Sequence, residues 1–182
     1  MSKVPFALTV ILTLGLPLSS QSFTVQLTAS HDAADALPFE IPSLHVKGTV
    51  RPAPGCRLHI VSITLGEEPI ETEARRFVLV TTTGTYEPIG AGGSAVLIIP
   101  FERVPLDKEV GEILPSDAIV ALTRRSATSV VLEAGPRATL AFLYELPLAA
   151  SVRSLRLPDG RELTVVPVDD LFPADRPRSV SC

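Results

Sequence analysis

The residues of this 182-residue chain with the types to do chemistry are three histidines, two cysteines and two acidic pairs. His45, Cys56 and His59 are the nearest approach to a metal set, and Cys56 and His59 have Cys-x-x-His spacing. A blue-copper centre joins a Cys and two His to a weak axial Met. Here the only Met is Met1. If residues 57–65 form a strand, side chains three apart point to opposite faces, which separates Cys56 from His59. The sequence therefore predicts no metal site, and a half-exposed strand histidine at 59. His31 and Asp32 are adjacent in an expected loop, where neighbours are ordinarily solvated side chains rather than a catalytic dyad. A small hydrolase or metal carrier would have to be built from His31, Asp32, His45 and His59.

Other chemistry finds less to work with. No Gly-x-Ser-x-Gly elbow presents a nucleophilic serine. Gly90-Ala91-Gly92-Gly93-Ser94-Ala95 fits the dinucleotide fingerprint, but that loop needs a helix after it, and Val-Leu-Ile-Ile-Pro reads as a strand. The glycines are expected to be a flexible connection. The pairs Glu67-Glu68 and Asp169-Asp170 could serve glycoside hydrolysis, yet a chain without Trp and with only Tyr86 and Tyr144 lacks the usual sugar platforms. They read as surface charge. No catalytic residue and no cofactor is predicted.

The elements that would position these residues are strands. Short alternating apolar runs bounded by Pro or Gly recur at 22–29, 43–50, 57–65, 76–83, 95–101, 118–123, 128–133, 137–146, 152–157 and 162–166. In the first, Phe23, Val25 and Leu27 share a face. Pro158-Asp159-Gly160 joins the last two as a tight turn. Seventeen prolines leave little room for helices, and only Pro105 to Leu114 has helical spacing, through Leu106, Val110, Ile113 and Leu114. Without crossover helices the sheets must be antiparallel, and two of them packed face to face is the expected architecture. His31 to Pro42 reads as a loop, and residues 168–182 as a tail.

Composition bounds the rest. A hydrophobic content of 46% with a net charge of -4 fits one globular domain and excludes a disordered chain. Nucleic acid is not an expected partner, because neutralising phosphates needs a basic surface. Lys3, the apolar run from Val4 to Leu18 and the small polar residues after it have the order of a secretory signal peptide, cleaved near Ser20 or Ser22. The run is too short to span a membrane, and no later segment could do so. Residues 1–22 are thus expected to be a signal, 23–167 the folded domain, and the destination periplasmic or extracellular. An oxidising compartment permits Cys56 and Cys182 to pair, and two free thiols are the alternative.

Two segments, Phe77 to Gly90 with its Gly84-Thr85-Tyr86-Glu87-Pro88 turn, and Val130 to Leu157 with Tyr144-Glu145-Leu146-Pro147, resemble secreted bacterial immunoglobulin-like sandwiches of the telokin-like type. The resemblance covers Arg57 to about Val166 and is interrupted by the long section Glu102 to Thr128. It implies an antiparallel immunoglobulin-like sandwich of mostly unassigned activity, acting as an envelope-associated interaction module, and no catalytic residue carries over. The expected function is a non-enzymatic exported module that binds a protein or envelope component. A purely structural envelope domain is the second reading, and the histidine-based hydrolase or metal carrier the third.

Overall fold

The computed structural model describes residues 23–33, 35–94, 98–113 and 118–165; the expected signal at 1–22, the tail at 168–182 and Cys182 lie outside the described residues. Strands are numbered in chain order. They are β1 (Val25–Asp32), β2 (Leu37–Ile41), β3 (Val46–Val50), β4 (Cys56–Leu65), β5 (Ile70–Glu73), β6 (Val78–Thr81), β7 (Thr85–Tyr86) and β8 (Gly90–Gly92). After them come β9 (Ile98–Pro100), β10 (Glu109–Ile113), β11 (Ile119–Arg124), β12 (Val130–Ala134), β13 (Thr139–Pro147), β14 (Val152–Arg156) and β15 (Glu162–Thr164).

The central strand follows from its sequence. β4 carries Val61, Ile63 and Leu65 on one face and Leu58 and Ile60 on the other, so both faces must be covered. It pairs antiparallel with β1 on one side and β13 on the other, within a five-stranded sheet of order β1-β4-β13-β8-β9. Two four-stranded sheets, β10-β11-β12-β5 and β15-β14-β6-β7, contribute their apolar residues to the same core. The β2–β3 hairpin joins the outer cluster through Leu37 and Val50. Among the described residues the result is an all-β, sandwich-like arrangement of antiparallel sheets with no closed barrel. At its centre the Phe77 and Phe142 rings stack with centroids 4.4 Å apart. Beside them Tyr144, fully buried, donates its hydroxyl to the Phe77 carbonyl at 2.9 Å. That bond satisfies a polar group whose burial would otherwise cost about 1–3 kcal/mol.

Each of the ten expected runs holds a strand within its described residues, and the Pro158-Asp159-Gly160 turn joins β14 to β15 with Gly160 at a φ of 89°. Three expectations are corrected. Where a helix is expected at Pro105 to Leu114, Glu109–Ile113 form strand β10, paired with β11. Gly111 explains it: a Cβ there would meet the Val120 carbonyl oxygen at 2.6 Å, so glycine marks a close cross-strand approach rather than a helix interior. The expected loop at His31 to Pro42 contains β2 and the end of β1. The glycines expected to be a flexible connection form β8, paired with β13 and β9.

Candidate functional site

One extra residue decides which side chains reach the inner face of β1. Leu27 lies opposite Ile63, but Ala29 lies opposite Ser62, so Thr28 is a bulge in the ladder. Strict alternation from Leu27 would send Ala29 and His31 inward. The bulge shifts the phase, so that Ser30 pairs with Val61 and Asp32 with His59. His31 is turned to the opposite face, beside Ile60, and is exposed.

The shift assembles a polar network at the rim of the core. Ser30 Oγ lies 2.8 Å from His59 Nε2, and His59 Nδ1 lies 2.7 Å from Asp32 Oδ1. A carboxylate can only accept, so Nδ1 carries the proton, and Nε2 accepts from the Ser30 hydroxyl. Arg57, on the same face of β4, donates Nε to the same Asp32 oxygen at 2.8 Å. Its other nitrogens donate to the Leu148 and Ala150 carbonyls at 2.8 and 2.6 Å, tying the β13–β14 turn to the network. Burial pushes the His59 imidazole below its ordinary value, with the bond and charge of Asp32 pulling the other way. Burial draws the Asp32 carboxyl up. The His59 bond, the charges of Arg57 and His59, and the Arg57 bond outweigh it and hold the group below the usual range.

These distances are those of a Ser-His-Asp triad, and nucleophilic catalysis is the chemistry to test against them. The exposure runs backwards. The Asp32 side chain is 55% exposed, that of His59 only 7%, and Ser30 is 6% exposed. An acylating serine must meet a substrate carbonyl while its aspartate is sheltered; here the carboxylate faces water and the serine faces the core. Ser30 also sits within a paired strand, with no strand-to-helix turn to lift its hydroxyl out.

The other sequence candidates do not converge. His59 is buried rather than half-exposed, because Val61 and Tyr144 continue its face into the core. His45 is exposed and left-handed, with φ at 54°, after a short 3-10 turn between β2 and β3. Cys56 begins β4, half-buried, on the face opposite His59. Among the described residues no three His, Cys, Asp or Glu side chains cluster as a metal site. Glu67 and Glu68 are exposed, as expected for surface charge, and Glu67 binds Arg137 at 2.8 Å. Sequence reasoning missed Ser30 and Arg57: the bulge and the β1–β4 register bring Ser30 and Asp32 to His59, and Arg57, which shares a face of β4 with His59, acquires its partner only when Asp32 arrives there.

A second feature lies on the outward face of the β10-β11-β12-β5 sheet. One cross-strand row reads Gly111, Ala121, Glu133, Glu71, placing two carboxylates directly opposite each other. The next row reads Glu109, Thr123, Val131, Glu73. Neither row contains a cation, although Glu73 accepts from Ser129 Oγ at 2.6 Å, and Ala121 and Thr123 in the middle of the rows are buried. Beside Glu71 and Glu133 lies a surface depression of about 420 Å³, also lined by Ile119, which is 54% exposed. No known protein family, curated protein or solved structure matches the chain.

Proposed function

We propose that the chain is an exported, non-enzymatic, immunoglobulin-like β-sandwich module that binds a protein or a component of the cell envelope. The observation that carries this reading is the outward face of β5 and β10–β12. Like charges set directly opposite across a sheet destabilise it, and a large apolar side chain beside them gains nothing from water. A partner bringing cations and an apolar contact would relieve both. The signal-like N-terminus and the antiparallel, sandwich-like arrangement are consistent with an exported module of this kind. The test is chemical crosslinking of the full chain to an envelope extract, alongside Glu133→Lys. A defined partner captured by the native chain and lost with the variant is the expected result. No capture, or capture indifferent to the charge, overturns the reading.

A hydrolase is the second reading, favoured by the distances among Ser30, His59 and Asp32. The reversed exposure argues against it. A fluorophosphonate probe separates the two: the module leaves Ser30 unlabelled, whereas labelling that vanishes in Ser30→Ala would establish the hydrolase. Export is checked by N-terminal sequencing of the secreted product, which should begin after Ser20 or Ser22. Pairing of Cys56 with Cys182 is checked by counting free thiols in that product.

A further inference from the structure

A cleft of about 440 Å³ opens where the β2–β3 hairpin meets the end of β9 and the 3-10 turn Phe101–Arg103. Its floor is apolar, from Phe39, Val50 and Phe101. Gly48, opposite Phe39 on β3, makes room for that ring: a Cβ at 48 would come within 2.6 Å of it. Three guanidinium groups line the cleft, from Arg51, Arg75 and Arg103, in a chain whose net charge is -4.

Their hydrogen bonding is incomplete. Arg75 packs over the Phe101 ring, 5.7 Å from its centroid, and gives one terminal nitrogen to Glu87 at 3.2 Å. Its Nε is buried and has no acceptor. A buried N–H without a partner is uncommon, and on a charged group it is costly. Arg51 makes neither a hydrogen bond nor an ion pair to the described residues. The two acids of the cleft are already engaged, Glu102 with Arg103 at 3.2 Å and Glu145 with the backbone N–H of Ala53. The groups left over are donors, and they stand above an apolar floor.

We propose that this cleft is a binding site for an organic oxyanion, a phosphate monoester or carboxylate carried on an apolar body. The planar guanidinium fork suits both oxyanions. Arg51 and Arg75 take the oxyanion, and Phe39, Val50 and Phe101 take the body. The cleft shares no residue with the acidic face of β5 and β10–β12, so this inference stands independently of the module's partner.

The test is calorimetric titration of the full chain with phenyl phosphate, benzoate and inorganic phosphate. Saturable binding of phenyl phosphate or benzoate is expected, with the stronger of the two identifying the oxyanion. Inorganic phosphate should bind at least about tenfold more weakly, because it forgoes the apolar floor. Arg51→Ala, at an exposed position, should weaken binding about tenfold, the effect of losing one charge-assisted hydrogen bond. Arg75→Lys keeps the charge but loses the planar fork of terminal N–H donors, and should weaken it similarly. Both variants should still capture the crosslinked partner. No saturable binding by either organic anion, equal binding of inorganic phosphate, or binding unaffected by Arg51→Ala overturns the proposal.

Discussion

The rim network on β1 and β4 and the outward face of β5 and β10–β12 handle charge in opposite ways. At the rim, Asp32 accepts from both Arg57 and His59, His59 is bonded at both nitrogens, and Arg57 gives one hydrogen bond from each terminal nitrogen to a carbonyl. On the outward face Glu71 stands opposite Glu133, and Glu73 and Glu109 occupy the neighbouring row. A polar group next to the core must find partners within the chain, since none will arrive from solvent. A polar group on a solvated face can be left mismatched at small cost, and such a mismatch is available to another molecule. The first region is therefore read as a fastening, despite its triad-like distances, and the second as a contact surface. The β15-β14-β6-β7 sheet supplies the control. There Arg156 lies opposite Glu162, with a nitrogen 3.0 Å from its carboxylate, which is the ordinary way to pair charges across strands.

If the rim is a fastening, breaking its hub should give the largest effect. Arg57→Ala removes donors from Asp32 and from the Leu148 and Ala150 carbonyls at once. The expected loss is about 2–3 kcal/mol, seen as a lower urea midpoint with an unchanged m-value. Ser30→Ala should cost less, about 1 kcal/mol, since it removes one neutral hydrogen bond. A change below about 0.5 kcal/mol in Arg57→Ala, within the range of ordinary surface substitutions, would mean the network fastens nothing.

How far the rim could be read in advance turns on Thr28. Apolar alternation was enough to locate β4, β13, β14 and the other long strands, because their pattern and their burial have the same cause. It also placed Cys56 and His59 on opposite faces. It failed where an element's state is set by its partner. β8 and β10 are strands because β13 and β11 lie alongside, not because of their own residues; the glycines of β8 read as a flexible connection and the apolar spacing around Gly111 as a helix, whereas Gly90 and Gly111 both mark a close approach of backbone. At β1 the pattern from Phe23 to Leu27 was right, but a bulge has no signature in a single sequence. Continued past Thr28, it would give the inward position to His31 and deny it to Asp32. The acidic face was hidden for a related reason: Glu71 and Glu133 are 62 positions apart, and only the β5–β12 register sets them opposite.

Protonation should test the rim directly. The folded state holds His59 below its ordinary value of 6.5, so as pH falls past that point the unfolded chain takes up a proton that the folded chain refuses. The His59 contribution is complete above that value and declines below it, until the folded imidazole also titrates. Asp32, held below 3.8, acts in the same direction at lower pH: its contribution is present above that value and lost as pH falls through the folded one. Stability measured from pH 7.5 to 4.5 should therefore fall, and His59→Gln should flatten that slope. A slope unaltered in His59→Gln would place the pH response elsewhere.

The smallest expected effect is the sharpest test of the contrast, because its sign differs between sheets. Glu71→Lys sets a cation opposite Glu133, converting a repulsive cross-strand pair into an attractive one, and should raise stability by about 0.2–1 kcal/mol at low ionic strength. The gain should fade in 1 M salt, where the screening length is only about 3 Å. Glu162→Lys, in the control sheet, makes the reverse change against Arg156 and should lower the melting temperature. If Glu71→Lys also abolishes partner capture while Glu162→Lys leaves it intact, stability and binding oppose each other on one sheet only. A contact surface requires that opposition, since the charge that weakens the free sheet is the charge the partner neutralises. If Glu71→Lys is destabilising instead, the glutamates are satisfied within the chain, and the reason for reading that face as a contact surface disappears.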